Sequence, residues 1–295
     1  MTTSTPRRLA SGRPSSTAGL TALMRAVDAR LPAERRLADD RYAHHYAAFN
    51  RRFKYYGRNP RTARLSLAVF DRIFGGFLAE ILLRSRHFDT VLEQARADGI
   101  RQVLLLGAGY DSTPLRHPDL RFVEVDHPAT QRAKRAVLQK SGIATPNVTY
   151  VPVDLEQERL VQALSDEHLD RGERTLVGWH GVSFFLQQQA FQGALADIAA
   201  VCAPGSRLVF DYMDAAVVDG SIPDRSVRAA ARLVARRGEP YRLGMDGRRA
   251  AQAAQEAGFR CLEHLRVTDL IDRFGGARPY CARKDFMGVL TVERQ

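Results

Sequence analysis

Two glycines and two acids near the middle of the chain are spaced to hold a ligand. Residues 103–106 are an apolar run that ends in Gly107-Ala108-Gly109-Tyr110-Asp111-Ser112, and a second run, 122–125, ends at Asp126. A buried strand followed by Gly-x-Gly lets a ligand approach the backbone at the strand's carboxyl end. An acid at the tip of the next strand can accept hydrogen bonds from both hydroxyls of a ribose, so the pattern predicts an adenosine-containing cofactor. Asp126 lies 19 residues after Gly107, a spacing that also suits a dinucleotide site. The third glycine of G-x-G-x-x-G is replaced by Ser112, however, and Asp111 would repel a pyrophosphate. A carboxylate there suits an ammonium group, which S-adenosylmethionine (SAM) carries. The competing reading is a tight strand-to-helix turn with no ligand.

Two further positions could do chemistry. Asp154 ends a third apolar run and is spaced to cap a following helix, with Gln157 as its capping-box partner. His180 follows a fourth run, 175–179, and precedes Gly181. A lone histidine after a strand is commonly structural, but this one stands where a parallel sheet presents its ligand edge.

The elements that must position these residues follow from periodicity. Helices are predicted over 18–31 and 41–56, the latter with Tyr42, Tyr46, Phe49, Phe53 and Tyr56 as a core stripe, and then over 62–97 with Gly75-Gly76 as an interruption. Strands at 103–106, 122–125, 148–153, 175–179 and 207–212 alternate with helices at 128–139, 157–169 and 187–201, which predicts a parallel α/β sheet with right-handed crossovers. A helical insertion is expected at about 215–240 and a helix over 245–257. Two late strands, 259–267 and 285–292, have only a short helix (268–274) between them, so they are expected to end the sheet as an antiparallel pair. The organisation expected is a basic disordered tail (1–16), a helical cap or lid (17–98) and a cofactor-binding core (99–295).

Composition narrows the function classes. The chain has 295 residues, 45% of them apolar, enough for a sizeable core. Its net charge is +11, and residues 1–60 hold 12 Lys+Arg against 4 Asp+Glu. A solvated basic tail explains this, as does attraction to an acidic small molecule. Nucleic acid is disfavoured, because no basic run is interleaved with aromatics at an RNA-binding spacing. Cys202, Cys261 and Cys281 form no C-x-x-C pair, which argues against a zinc site and a disulfide framework. There is no 18-residue apolar run, no secretory signal pattern and no internal repeat, so a cytoplasmic protein with no membrane partner is expected.

The combined motifs resemble the leucine carboxyl methyltransferase-like class I SAM methyltransferases. The resemblance rests on Arg84-Ser-Arg-His-Phe-Asp89, Arg101-Gln-Val-Leu-Leu-Leu-Gly-Ala-Gly-Tyr-Asp111 and Phe122-Val-Glu-Val-Asp126, then Gly205-Ser-Arg-Leu-Val-Phe-Asp-Tyr212, Glu239-Pro-Tyr-Arg-Leu-Gly244 and Gly258-Phe-Arg. It covers about residues 20–292. It implies a Rossmann-like seven-stranded sheet and SAM as cofactor. Arg84 would hold the methionine carboxylate, with Arg86 the neighbouring alternative. Gly107, Ala108, Gly109 and Asp111 would line the methionine end, Asp126 would take the ribose, and Asp154 with the Leu155 backbone would read the adenine amino group.

One departure concerns the acceptor. The family usually carries Glu-Gly after the fourth strand, where this chain has His180-Gly181, and Phe184-Phe185-Leu186 stands where Met-Tyr-Leu is frequent. A carboxylate acceptor is already ionised at neutral pH, whereas a hydroxyl or acidic carbon needs a base, for which His180 is the candidate. Arg51, Arg52, Tyr55 and Arg58 are candidates to grip an acidic acceptor. The expected activity is O-methylation of an acidic small molecule in secondary metabolism. C-methylation of a 2-oxo acid, with His180 also helping to ligate a metal, and SAM binding without turnover are the alternatives.

Overall fold

The computed structural model describes residues 12–47, 53–275 and 283–295. The cap begins with α1 (Ser16–Asp28), short α2 (Ala43–Ala47) and α3 (Phe53–Tyr56), then α4 (Pro60–Ile73) and α5 (Phe77–Ala97). Asn59 and Thr62 cap α4 reciprocally, with Pro60 at its first turn. Gly75 and Gly76 both take positive φ and break α4 from α5, at the predicted interruption. At Gly75 a Cβ would also stand 2.7 Å from the Val227 nitrogen.

The sheet follows with β1 (Gln102–Leu106), β2 (Arg121–Asp126), β3 (Val148–Pro152), β4 (Thr175–Trp179), β5 (Arg207–Met213), β6 (Phe259–Arg266) and β7 (Met287–Arg294). Its order is β3-β2-β1-β4-β5-β7-β6, parallel from β3 to β5, with β7 antiparallel to both β5 and β6. Side-chain alternation splits the core into two layers. Val103, Leu105 and Leu176 pack under α1, α4 and α5, while Leu104, Leu106, Val177 and Trp179 pack on the opposite face. Alpha-helices α6 (Thr113–Arg116), α7 (Pro128–Lys140), α8 (Leu160–Ala163) and α9 (Gln188–Val201) connect the parallel strands. The insertion contains α10 (Ala215–Val218) and α11 (Arg225–Arg236); α12 (Gly247–Glu256) and α13 (Val267–Leu270) complete the fold.

Chain order reverses between β1 and β4. From β1 the chain winds out to β2 and β3, and from β4 it winds the other way to β5. The connections therefore part above these two strands and leave a crevice at their carboxyl ends.

Two sequence expectations need correction, and a third falls partly outside the described residues. The helix predicted over 157–169 is a single turn: Arg159 and the Val161 amide are held by Asp197 of α9, and Ser165 turns back on His168. The helix predicted over 41–56 is described only at its two ends, and Phe49 lies outside the described residues. The stretch read as tail is ordered at its end, because the Ser15 side chain caps α1 and Ser16 already belongs to it.

Candidate functional site

The turn after β1 is shaped by its glycines. Gly107 has φ +63°, and a Cβ there would lie 2.2 Å from Val182 Cγ2. Gly109 has φ +50°, and its Cβ would press on Ala18 of α1 at 3.2 Å. Asp126 at the end of β2 holds this turn: Oδ2 accepts the Gly109 amide at 2.5 Å and Oδ1 the His127 amide at 2.6 Å. A carboxylate has about four lone-pair directions, so both oxygens retain acceptor capacity. Burial pushes the Asp126 carboxyl above its ordinary range, against the opposing effect of the two amide bonds.

Asp111 is fixed by Thr113, whose amide and hydroxyl both donate to Oδ1 at 2.7 Å. Burial alone would raise this carboxyl, but Arg25, Lys134 and the Thr113 bonds bring it below the usual range. Asp154 organises the loop after β3, where Oδ1 accepts the Glu156 amide and Oδ2 the Gln157 side chain. The expected capping partner is present, although it caps a turn.

At the other lip, Arg84 of α5 donates to Asp211 Oδ2 of β5 at 2.5 Å and lies 3.0 Å from Glu80 Oε1. Gly181 donates its amide to both Asp211 oxygens. Burial, reinforced by Asp211 and only partly offset by Arg84, pushes the Glu80 carboxyl up to about 7. His180 packs edge-on to Phe88 at 4.9 Å, and its Nε2 is buried with no hydrogen-bond partner. Burial and Arg84 push its imidazole down to about 3. It is therefore neutral at physiological pH, whereas a poised base would titrate near 6–7.

Arg84, Gly107, Ala108, Gly109, Asp111, Asp126, Asp154, Leu155 and His180 all line one cavity of about 1350 Å³. Single small-ligand pockets run to roughly 300–1,000 Å³, so this one has room for a cofactor and an acceptor together. Arg86 lies instead over the Phe274 ring. Tyr55 and Arg58 are not among the lining residues, and Arg51 and Arg52 lie outside the described residues.

Several residues in and directly behind the lining escaped sequence reasoning. Glu80 stands four positions before Arg84, a helical pairing distance, and Asp211 is an acid inside an apolar strand; both signals were readable. Glu239 closes the rim by accepting from the Ser16 hydroxyl and the Thr17 amide, each at 3.0 Å, and from the Thr17 hydroxyl. Arg25 spans from Asp40 to the Tyr110 carbonyl, and Asp40 takes the Ser112 hydroxyl. No local pattern links these partners.

The donor set fits SAM. Glycines leave backbone room at the turn, two carboxylates beside it (Asp111 and Asp126) have the chemistry to suit an ammonium and a ribose, and the Arg84 guanidinium lies at the opposite lip. A parallel sheet with this turn, an acid after β2 and an antiparallel β7 inserted beside β5 defines the class I SAM methyltransferase fold. The chain belongs to the leucine carboxyl methyltransferase family, whose model matches residues 18–199. YktD of Bacillus subtilis (strain 168), named as a candidate SAM-dependent methyltransferase, is 28% identical over 198 residues, 65% of each chain. A similarly named protein of Mycolicibacterium vanbaalenii is 34% identical over 159 residues, 51% of this chain and 52% of its own length. The matches thus span less than two thirds of these relatives. In fold, the chain is similar to a DUF574 family protein from Streptomyces avermitilis, at 19% identity and TM-score 0.55 over 98% of this chain and all of that one.

Proposed function

We propose that this protein is a SAM-dependent methyltransferase acting at an oxygen of an acidic small molecule in secondary metabolism. The observation that carries the reading is the convergence of the nine expected residues, from five separate chain segments, on one cavity at the β1/β4 switch point.

Bound SAM supplies an electrophilic methyl carbon. The chain's residues hold and orient. Asp126 accepts from the ribose hydroxyls while keeping the glycine turn in place. Asp111, ionised, faces the ammonium, and Arg84 faces the methionine carboxylate. Asp154 and the Leu155 backbone read the adenine edge. On the acceptor side, Phe184, Phe185 and Tyr241 form a ring cluster with centroids 4.9 to 5.3 Å apart, which packs an apolar body and excludes water. The weak basicity of His180 favours an acceptor that arrives ionised over one whose proton the enzyme must remove. His180 then acts as a neutral hydrogen-bonding partner through the free Nε2.

Calorimetry with S-adenosylhomocysteine and with NAD tests the cofactor, and tighter NAD binding would refute it. Incubating the protein with methyl-deuterated SAM and a panel of carboxylic acids, followed by mass spectrometry, tests the chemistry, with a labelled methyl ester expected. A product labelled on carbon would replace O-methylation by C-methylation. Cofactor binding with no labelled product from any acceptor would leave a binding protein without turnover. In His180→Gln, the pH–rate profile should keep its shape; loss of an acid limb near 6–7 would restore His180 as the base.

A further inference from the structure

Four of the five large hydrophobic side chains exposed among the described residues belong to α3 and α4, and none of the four lines the cavity. Leu65, Val69 and Ile73 are 67%, 45% and 56% exposed and occupy successive turns of α4, and Tyr55 of α3 precedes them at 63%. The opposite side of α4 is already used, with Ala63 and Leu67 in the core. Leu65, Val69 and Ile73 therefore form an outward face of α4 that the described residues leave exposed.

The charge around it is one-sided. Arg61, Arg64 and Arg72 are exposed on α4, whose single acid, Asp71, is buried. The neighbouring α11, joined to this helix where Gly75 meets Val227, exposes Arg225, Arg232 and Arg236 and has no Asp or Glu in its range. None of these six arginines has a carboxylate partner among the described residues. Some surface arginines elsewhere do, such as Arg96 with Asp119, Arg121 with Glu173 and Arg260 with Glu293.

We propose that the outward face of α4 and α11 docks on an anionic lipid surface. Aliphatic side chains on successive turns, flanked by unpaired guanidiniums, are what an interfacial helix presents to headgroups and the acyl boundary. A second copy of the chain is a poor occupant, because a two-fold contact would set arginine rows against each other. A nucleic acid would use the arginines but not the aliphatic stripe. No described helix is long and apolar enough to cross a membrane; the surface lies on the bilayer.

The test is co-sedimentation of the whole protein with vesicles of phosphatidylcholine alone and of phosphatidylcholine mixed with phosphatidylglycerol. Binding to the mixed vesicles should be at least about tenfold stronger and should be released by high salt. Leu65→Ser/Val69→Ser/Ile73→Ser and Arg61→Gln/Arg64→Gln/Arg72→Gln should each weaken it by about tenfold, with S-adenosylhomocysteine binding unchanged. Should the serine triple unfold, Ile73→Ser alone should still lower binding. Equal binding to both vesicle types, or none, overturns the proposal. So does an unaltered serine variant, which would mark a purely electrostatic surface, or a concentration-dependent dimer that the serine variant abolishes.

Discussion

Arg84 and Asp211 meet at 2.5 Å behind the cavity lining, tying helix α5 to strand β5. The same Asp211 carboxylate takes the Gly181 amide, so one buried acid positions both the guanidinium and the loop after β4. Removing one partner of a buried pair leaves the other charge uncompensated. Asp211→Ala is expected to destabilise the fold by about 3–5 kcal/mol, measured by urea unfolding. Arg84→Met, which leaves both Asp211 and Glu80 without their shared cation, should lower stability as well as S-adenosylhomocysteine affinity. Equal stability of Asp211→Ala and wild type would mean the pair is not formed in solution.

Asp126 has two tasks, the ribose and the glycine turn. Asp126→Ala should weaken S-adenosylhomocysteine binding by about 2–4 kcal/mol, from lost charge-assisted bonds partly replaced by water. Because the Gly109 and His127 amides also lose their acceptor, a lower melting temperature should accompany the loss. Calorimetry with a thermal melt separates the two effects. Weaker stability with unchanged affinity would confine Asp126 to the turn.

Glu80 makes stability depend on pH. Its folded carboxyl is raised to about 7 from an ordinary 4.5, so between these values the folded state holds more protons than the unfolded one. Stability therefore falls as pH rises through that window and is unaffected by Glu80 below it. Glu80→Gln should be more stable than wild type by about 1–2 kcal/mol at about pH 8, with the gain fading towards about pH 4. Chemical denaturation at several pH values checks this. A gain of the same size at every pH would point to packing instead of charge.

Residues 17–60 are expected to act as a lid. Helix α1 crosses the Gly109 turn and is pinned at its start by Glu239 and farther along through Arg25 to the Tyr110 carbonyl. Hydrogen exchange in α1 should slow when S-adenosylhomocysteine binds, and Glu239→Ala should speed exchange in the ligand-free protein. Identical exchange with and without ligand would make α1 a fixed wall of the cavity.

The sequence by itself determined the sheet and the cofactor edge. Strand β4 falls on the predicted residues, the break at Gly75-Gly76 and the late antiparallel pair are as expected, and the residues expected to hold the cofactor share one cavity. These features are local. A run of apolar residues, a glycine with positive φ or an acid after a strand carries its meaning within a few positions. Tertiary structure alone decided the rest. The helix expected after Asp154 shrank to one turn because Asp197, 38 residues from Arg159, claimed its first residues. Glu239 reached Thr17 across 222 positions to set the rim. His180 kept its place after β4, but its basicity was set by burial and by Arg84, which arrives from a different helix. Solvation and long-range charge depend on which segments the fold packs together, and that information is not written at any one point of the chain.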